Sequence, residues 1–307
     1  MRGLYYIIQF FLAGVFIFSG IIKLYPIEAF ELNFIDLGVA NFQTAPIIAR
    51  FLIAFEVYLG LQLFAGSYLK RTYWAIIGLL VFFTGYLLID IYLNGNEGNC
   101  GCFGTYLQMT PLQSIFKNIA LLLITTLLLL FRKYNLYYLK KKWLMLSLAT
   151  ISLVTPFILN PPDFYFLLNY SPEFQQKAAV DVKKLPIKFS NGTIVDHTKG
   201  KSVLLFMSVT CPHCKIAAKK TELILKRNPE MPIYAIMYGD STLMPDFEKE
   251  TNAKLIHAFY NDKDFIKMVG YEVPAAFCIE NGKVVDRMDK LTLTEERLKT
   301  FFSKPSN

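Results

Sequence analysis

Long apolar runs separated by short charged breaks fill the first half of this chain; mixed period-two and period-3.6 patterns replace them in the second. Five segments, approximately residues 4–25, 47–65, 73–93, 112–131 and 143–159, are long enough to cross the roughly 30 Å hydrocarbon core, which takes about 20 helical residues. The first is too long for the apolar core of a secretion signal, and no small-x-small cleavage site follows it, so it reads as a retained helix. Asn160-Pro161-Pro162 then stops the last helix. Residues 164–170 form an aromatic stretch suited to a membrane–water interface, and 171–184 read as a polar linker.

Beyond the linker the pattern predicts a buried strand over 202–209 and a helix over 212–227. A strand over 232–238, a helix over 243–250, a strand over 254–260 and a short helix over 262–269 follow. A hairpin pairs 275–279 with 283–288 across Glu280-Asn281-Gly282, and a helix over 294–302 closes the chain. Composition agrees with this division. The 307 residues are 54% hydrophobic with a mean hydropathy of +0.36, too apolar for a wholly soluble chain and long enough for two folded units.

The formal charge of +8 gives no basis for a nucleic-acid partner, because much of it flanks the apolar spans and no basic aromatic surface motif accompanies it. It sets sidedness instead. Lys70 and Arg71 lie between spans two and three, and Arg132, Lys133, Lys140, Lys141 and Lys142 between spans four and five. The loop after span one carries Glu28, Glu31 and Asp36 with no basic residue, and the loop after span three has neither Lys nor Arg. One topology satisfies every loop: N-terminus cytoplasmic, both basic loops inside, and the tail outside.

That topology bears on the cysteines. Four of the five stand in close pairs, Cys100-Gly-Cys102 in the third loop and Cys211-Pro-His-Cys214 in the tail. Both pairs then face the outer, oxidising compartment, where disulfides persist. Cys211 falls where a strand ends and a helix begins. Pro212 suits the first helical position, where its missing N–H costs nothing. Unpaired N–H groups and the helix dipole favour a thiolate at Cys211, and His213 adds donors and, when protonated, charge. Cys214, one turn in, is placed to resolve a mixed disulfide. The bland alternatives are a stabilising disulfide or a zinc half-site, for which His197 and His257 show no ligand spacing. Cys-x-Cys closes a tight ring that reduces readily; its alternative is copper(I) binding, with Met109 near. Cys278, among apolar neighbours in a strand, reads as a small buried hydrophobe. Glu56 lies mid-span, where an ionisable group costs on the order of 3 kcal/mol unless paired. Lys23, at the outer end of span one, is its candidate partner; Arg50 reads as closer to the interface. The Glu56 site is either a proton- or ligand-handling group or a polar clasp between helices.

The tail's alternation, with the cysteines at the first strand–helix junction and Val273-Pro274 before the hairpin, resembles the thioredoxin fold over about 185–303. The resemblance implies that Pro274 is cis and lies against the active cysteines. The family's buried acid is replaced by Leu205, the aromatic before the first cysteine by Thr210, and Pro-His between the cysteines resembles the oxidising, DsbA-like members. In the membrane half, Phe16-Ile-Phe-Ser-Gly-Ile-Ile-Lys23-Leu-Tyr-Pro26, Phe55-Glu56-Val-Tyr-Leu-Gly60 and the Asn99-Cys-Gly-Cys-Phe-Gly104 loop resemble DoxX/MauE-type membrane proteins, the loop matching the MauE branch. This implies a four-helix bundle of the kind shared with quinone-linked thiol oxidases, although the second membrane cysteine pair usual in those enzymes is absent.

The expected architecture is therefore a DoxX/MauE-like four-helix membrane domain over 1–135, a fifth spanning helix and linker over 136–184, and an α/β thioredoxin-like domain over 185–307. The expected function is a thiol–disulfide oxidoreductase of the bacterial inner membrane, acting on exported client proteins with cysteines. Cys211, Pro212, His213, Cys214, Pro274, Cys100 and Cys102 carry the chemistry, and electrons pass between the two pairs. Thiol exchange needs no metal or cofactor, and a quinone is the one cofactor the resemblance allows. Two alternatives stand beside it: a copper(I)-handling or maturation factor, and a quinone-linked thiol oxidase.

Overall fold

The computed structural model describes residues 2–96, 109–131, 142–162, 180–270, 272–290 and 292–304. The chain divides into two compact units, Met1–Pro162 and Asp163–Asn307. Among the described residues the first unit is helical: α1 (Arg2–Ile22), α2 (Ile27–Asp36), α3 (Ala45–Ala65), α4 (Leu69–Asn94), α5 (Pro111–Leu130) and α6 (Lys142–Leu159). Four of these, α1, α3, α4 and α5, are long and apolar enough to cross a membrane. The apolar part of α6, Met145–Leu159, is shorter than the roughly 20 residues a span takes, and Pro156 lies within it. The expected fifth span is thus the least regular. It is no appendix, however, since it packs on α3 and belongs to the same compact unit as 1–135.

The α1–α3 contact explains part of the sequence pattern. Gly20 and Gly60 lie where the two helices touch: a Cβ on Gly60 would stand 3.0 Å from the Ala13 carbonyl oxygen and 2.7 Å from Ile17 Cγ1. Backbone cannot yield as a side-chain tip can. Gly60→Ala should therefore lower the thermal stability of the full chain in detergent by about 1–3 kcal/mol, the usual cost of overpacking. An unchanged melting point would show that the helices slide apart freely.

α2 is the main departure from expectation. The acidic loop after span one is a ten-residue helix whose Ile27, Phe30 and Phe34 are buried; their i, i+3, i+7 spacing makes one apolar face. The ends of the helices are tied together by polar contacts. Asn160 Nδ2, just past α6, donates to the Leu24 carbonyl at 3.1 Å, and Arg50 Nε and Nη2 donate to the carbonyls of Asn160 (2.6 Å) and Pro161 (3.0 Å). Tyr86 Oη of α4 donates to the Asn33 carbonyl at 3.2 Å, and the Leu112 amide of α5 donates to Asn96 Oδ1 at 2.9 Å. The end of α1, α2, the start of α3, the end of α4, the start of α5 and the end of α6 therefore share one end of the bundle.

The second unit is a five-stranded sheet flanked by helices. Its elements are β1 (Lys201–Ser208), α7 (Pro212–Arg227), β2 (Ile233–Tyr238), α8 (Met244–Thr251), β3 (His257–Phe259), α9 (Asp264–Val269), β4 (Ala275–Glu280), β5 (Lys283–Asp289) and α10 (Glu295–Ser303). The strand order is β3-β2-β1-β4-β5. β1, β2 and β3 run parallel, while β4 is antiparallel to β1 and β5 to β4. This is the thioredoxin arrangement. Leu204, Phe206, Ile236, Phe277 and Phe265 form its core. The folded unit starts earlier than the expected linker end at 184, because a 3₁₀ turn over Val182–Lys184 buries Val182 and is followed by buried Leu185. The aromatic stretch 164–170 and linker residues 171–179 lie outside the described residues.

Candidate functional site: a thiol pair at a helix start

β1 carries six consecutive buried residues, so it is fixed at the centre of the sheet, and its end delivers Cys211 to the start of α7. Cys211 is the helix N-cap, with extended backbone (φ −81°, ψ 120°), and Pro212 follows at the first turn. The Cys214 amide donates to Cys211 Sγ at 3.3 Å. The cap position thus brings an otherwise unpaired N–H to sulfur. Cys211 is half-buried, Pro212 and His213 are exposed, and Cys214 is wholly buried. The Ser208 amide donates to Cys214 Sγ at 3.4 Å.

These contacts divide the two thiols. Cys211 is pushed down to about 6, chiefly by the hydrogen bond from the Cys214 thiol; burial opposes this, and the amides of Cys214 and His213 and the His213 charge add to it. Cys214 is pushed up by that same hydrogen bond and by burial, with the Ser208 amide pulling the other way. One sulfur, half-buried, therefore ionises readily, and the other is held buried and protonated.

Pro274 belongs to the same site. The Val273–Pro274 peptide is cis, and Cys211 Sγ lies 3.7 Å from the Val273 carbonyl oxygen, to which it donates when protonated. That carbonyl and the Ser208 amide are backbone groups, invisible to residue-type reasoning. Leu205, at the position of the family's buried acid, is a core residue 1% exposed. Cys278 is buried in β4 opposite Val203, and burial, with Asp286 beside it, pushes its thiol up, away from reactivity. His197 Nε2 bonds the Pro186 carbonyl at 3.0 Å and His257 Nδ1 the Leu255 carbonyl at 3.0 Å, so each is engaged by its own backbone.

In the membrane unit, Lys23 and Glu56 are joined at 2.5 Å, and both are buried. Lys23 Nζ also donates to Ser19 Oγ at 3.0 Å and lies 5.4 Å and 5.5 Å from the ring centres of Phe30 and Phe83. Ser19 is four residues before Lys23 on one helix face, a signal the sequence did hold. Arg50, expected closer to the interface than Glu56, is 2% exposed and pairs with Glu31 of α2 at 2.5 Å, because α2 folds over it. Asp90 accepts from Asn94 Nδ2 at 2.9 Å. Glu97, Cys100 and Cys102 lie outside the described residues.

Lys23 and Glu56 line a cavity of about 30 Å³ together with Ser19, Tyr86, Lys117 and Asn118. Lys117, an ionisable residue inside α5, escaped the sequence reading, although its position alone marks it. A water needs about 10–15 Å³ measured this way, so the cavity suits two or three waters.

Residues 1–131 match the family described as methylamine utilisation protein MauE. Protein TlpB of Flavobacterium psychrophilum is 28% identical over an alignment covering 94% of this chain and 91% of that protein. Among solved structures, a secreted Mycobacterium tuberculosis disulfide oxidoreductase homologous to E. coli DsbE is 16% identical, with a TM-score of 0.32 over 39% of this chain and 94% of its own. StoA from Bacillus subtilis is 17% identical, with a TM-score of 0.33 over 38% and 94%. The thioredoxin domain of a Bacteroides vulgatus thiol-disulfide oxidoreductase is 13% identical, with a TM-score of 0.32 over 39% and 93%.

Proposed function

Starting from a MauE domain joined to a thioredoxin-fold domain, we propose that this membrane protein is a thiol–disulfide oxidoreductase for exported proteins and that its two cysteine pairs exchange electrons. The observation that carries the reading is the division of labour at α7. A thiolate at Cys211 attacks, or as a disulfide sulfur is attacked by, a client cysteine, and Cys214 resolves the mixed disulfide. Each step breaks one S–S bond and forms another, so two electrons move and no metal or organic cofactor is needed.

Exchange with Cys100 and Cys102 needs both pairs on one side of the membrane. The loop charges support that placement, with the N-terminus in the cytoplasm and the thioredoxin-fold unit outside. The hydrogen bonds of Asn160 with Leu24 and of Tyr86 with Asn33 support it too, since the chain leaves towards the second unit from the bundle end where α4 and α5 are joined. Tethering converts the encounter into an intramolecular one at an effective concentration on the order of millimolar. Given a small-molecule disulfide as electron acceptor, the combined Cys102→Ser, Cys214→Ser chain should accumulate an internal Cys100–Cys211 disulfide, seen by mass spectrometry of linked peptides. If that link never forms while client adducts of Cys211 do, the relay is wrong and the client chemistry stands.

A further inference from the structure

A neutral imidazole carries one N–H and one bare lone pair, and a buried ring ordinarily satisfies both. His197 satisfies one. It is 3% exposed, and its Nε2 lies 3.0 Å from the Pro186 carbonyl oxygen. A carbonyl only accepts, so the hydrogen sits on Nε2. Nδ1 is then a buried lone pair with no hydrogen-bond partner among the described residues. The ring stands edge-on to Phe189 and Tyr234, with 5.9 Å and 6.4 Å between ring centres. Neutral imidazole fits such a place and imidazolium does not, because a second N–H there would be buried without an acceptor. The surrounding charges offer little relief. The Asp196 carboxylate is exposed, accepts from Thr198 Oγ1 at 2.5 Å and pairs with Lys199 at 3.4 Å. Lys188, beside Phe189, is exposed, and Tyr234 is the titratable group facing the ring from β2. Burial accordingly pushes His197 below the ordinary histidine value, while the Pro186 carbonyl and Asp196 pull the other way.

The ring closes the segment through which the chain enters the second unit. Before β1 begins, Val182, Leu185 and Phe189 pack into the core. The Phe189 amide bonds the Thr193 carbonyl and the Val195 amide the Ile187 carbonyl, making a small hairpin, and the Ser190 amide ties its tip to the His257 carbonyl of β3 at 2.8 Å. The bond from His197 to Pro186 joins the two ends of that hairpin. We propose that His197 is an acid-sensitive catch on this arm: neutral, it holds residues 182–197 against the sheet, and protonated, it lets them go. In the open arm the ring returns to an ordinary value of about 6.5, so below that pH the open arm binds a proton that the closed arm excludes, and each further unit favours opening by up to about tenfold. Above about 6.5 the catch is fully engaged. Released residues join the segment that follows Pro162 and roughly double it, which lowers the effective concentration of the tethered unit at its membrane about threefold. Cys211 follows the opposite end of β1, so the inference stands apart from the electron relay.

The test uses the full chain in lipid nanodiscs with Cys211 and Cys214 oxidised, so that the Cys211 thiol does not titrate. Hydrogen–deuterium exchange of peptides covering 186–197 is compared between about pH 7.5 and about pH 5, corrected for the intrinsic pH dependence of exchange. Opening of the arm should increase by about 30-fold, as the uptake of one proton on release requires, while β1 keeps its protection. His197→Phe fills the space between Phe189 and Tyr234 without titrating and should give the same protection at both pH values. If that arm is open throughout, His197→Gln, which keeps a donor for the Pro186 carbonyl and does not titrate, carries the comparison on the same terms. An arm equally protected at both pH values in the parent would overturn the inference. So would the same acid-induced opening in the non-titrating chain, or a loss of protection that β1 shares equally.

Discussion

Cys211→Ser should abolish thiol–disulfide exchange by the thioredoxin-fold unit, a loss on the order of 10⁴-fold or more, as when a covalent nucleophile is removed. Cys214→Ser should instead leave the first attack intact and trap adducts, because the buried sulfur acts second. Alkylation of the reduced wild-type chain should rise with pH through about 6, where an ordinary cysteine would still be protonated. Stability follows with a definite sign. The Cys211 value is lower in the fold than in the unfolded chain. Between about 6 and 8.5, then, the unfolded chain holds more protons and the reduced fold gains stability as pH rises. That gain is lost again as pH falls through about 6. Cys214, shifted upward, acts only in alkali, where the unfolded chain releases a proton that the fold retains, and there it lowers stability. The Cys211 shift has a ceiling of about 3 kcal/mol, and solvent screening of a half-exposed group reduces it to about 2 kcal/mol. Stabilising the reduced form makes the disulfide the better oxidant: about 2 kcal/mol corresponds to roughly 40 mV for two electrons. Equilibration with glutathione should give a potential above the roughly −270 mV of thioredoxin. A potential at or below that value would remove the thiolate argument.

The second large effect belongs to the membrane unit. Lys23→Met leaves the Glu56 carboxylate buried with its ammonium partner gone, and should cost about 3–5 kcal/mol. Replacing both residues by methionine removes the stranded charge, and such exchanges are near neutral or stabilising. Thermal unfolding of the single and double variants in detergent measures the difference. A Lys23→Met chain that melts like wild type would mean the pair is solvated and contributes nothing.

How much of this was legible varied with the kind of signal. The Cys211–Cys214 site was readable because a strand run, a Pro at the helix start and a later Val-Pro each carry a local signature, and all three meet in space. Lys23 could be matched to Glu56 because an ionisable residue in a span demands a partner and few were available. α2 was not readable as a helix: three acidic residues and a length of ten make it look like a loop, and only burial against the bundle makes its apolar face decisive. The partner of Arg50 was missed for that reason, since Glu31 sits on the unrecognised helix. The strand expected over 254–260 shrinks to His257–Phe259 because it is an edge strand, paired on one side only. The amide of Ser208 and the carbonyl of Val273 could not be read at all, since backbone groups of any residue type can fill those roles.

Arg50 also carries an implication for biogenesis. Two of its donors find acceptors only on Asn160 and Pro161, 110 and 111 residues further along the chain. While the ribosome is still making the intervening helices, that guanidinium has Glu31 and the Pro46 carbonyl and nothing more. A polypeptide cut after residue 131 would keep the whole MauE match and still lack the contacts that close the bundle around buried Arg50. The boundary that defines the family by sequence is thus not the boundary at which this membrane unit is finished.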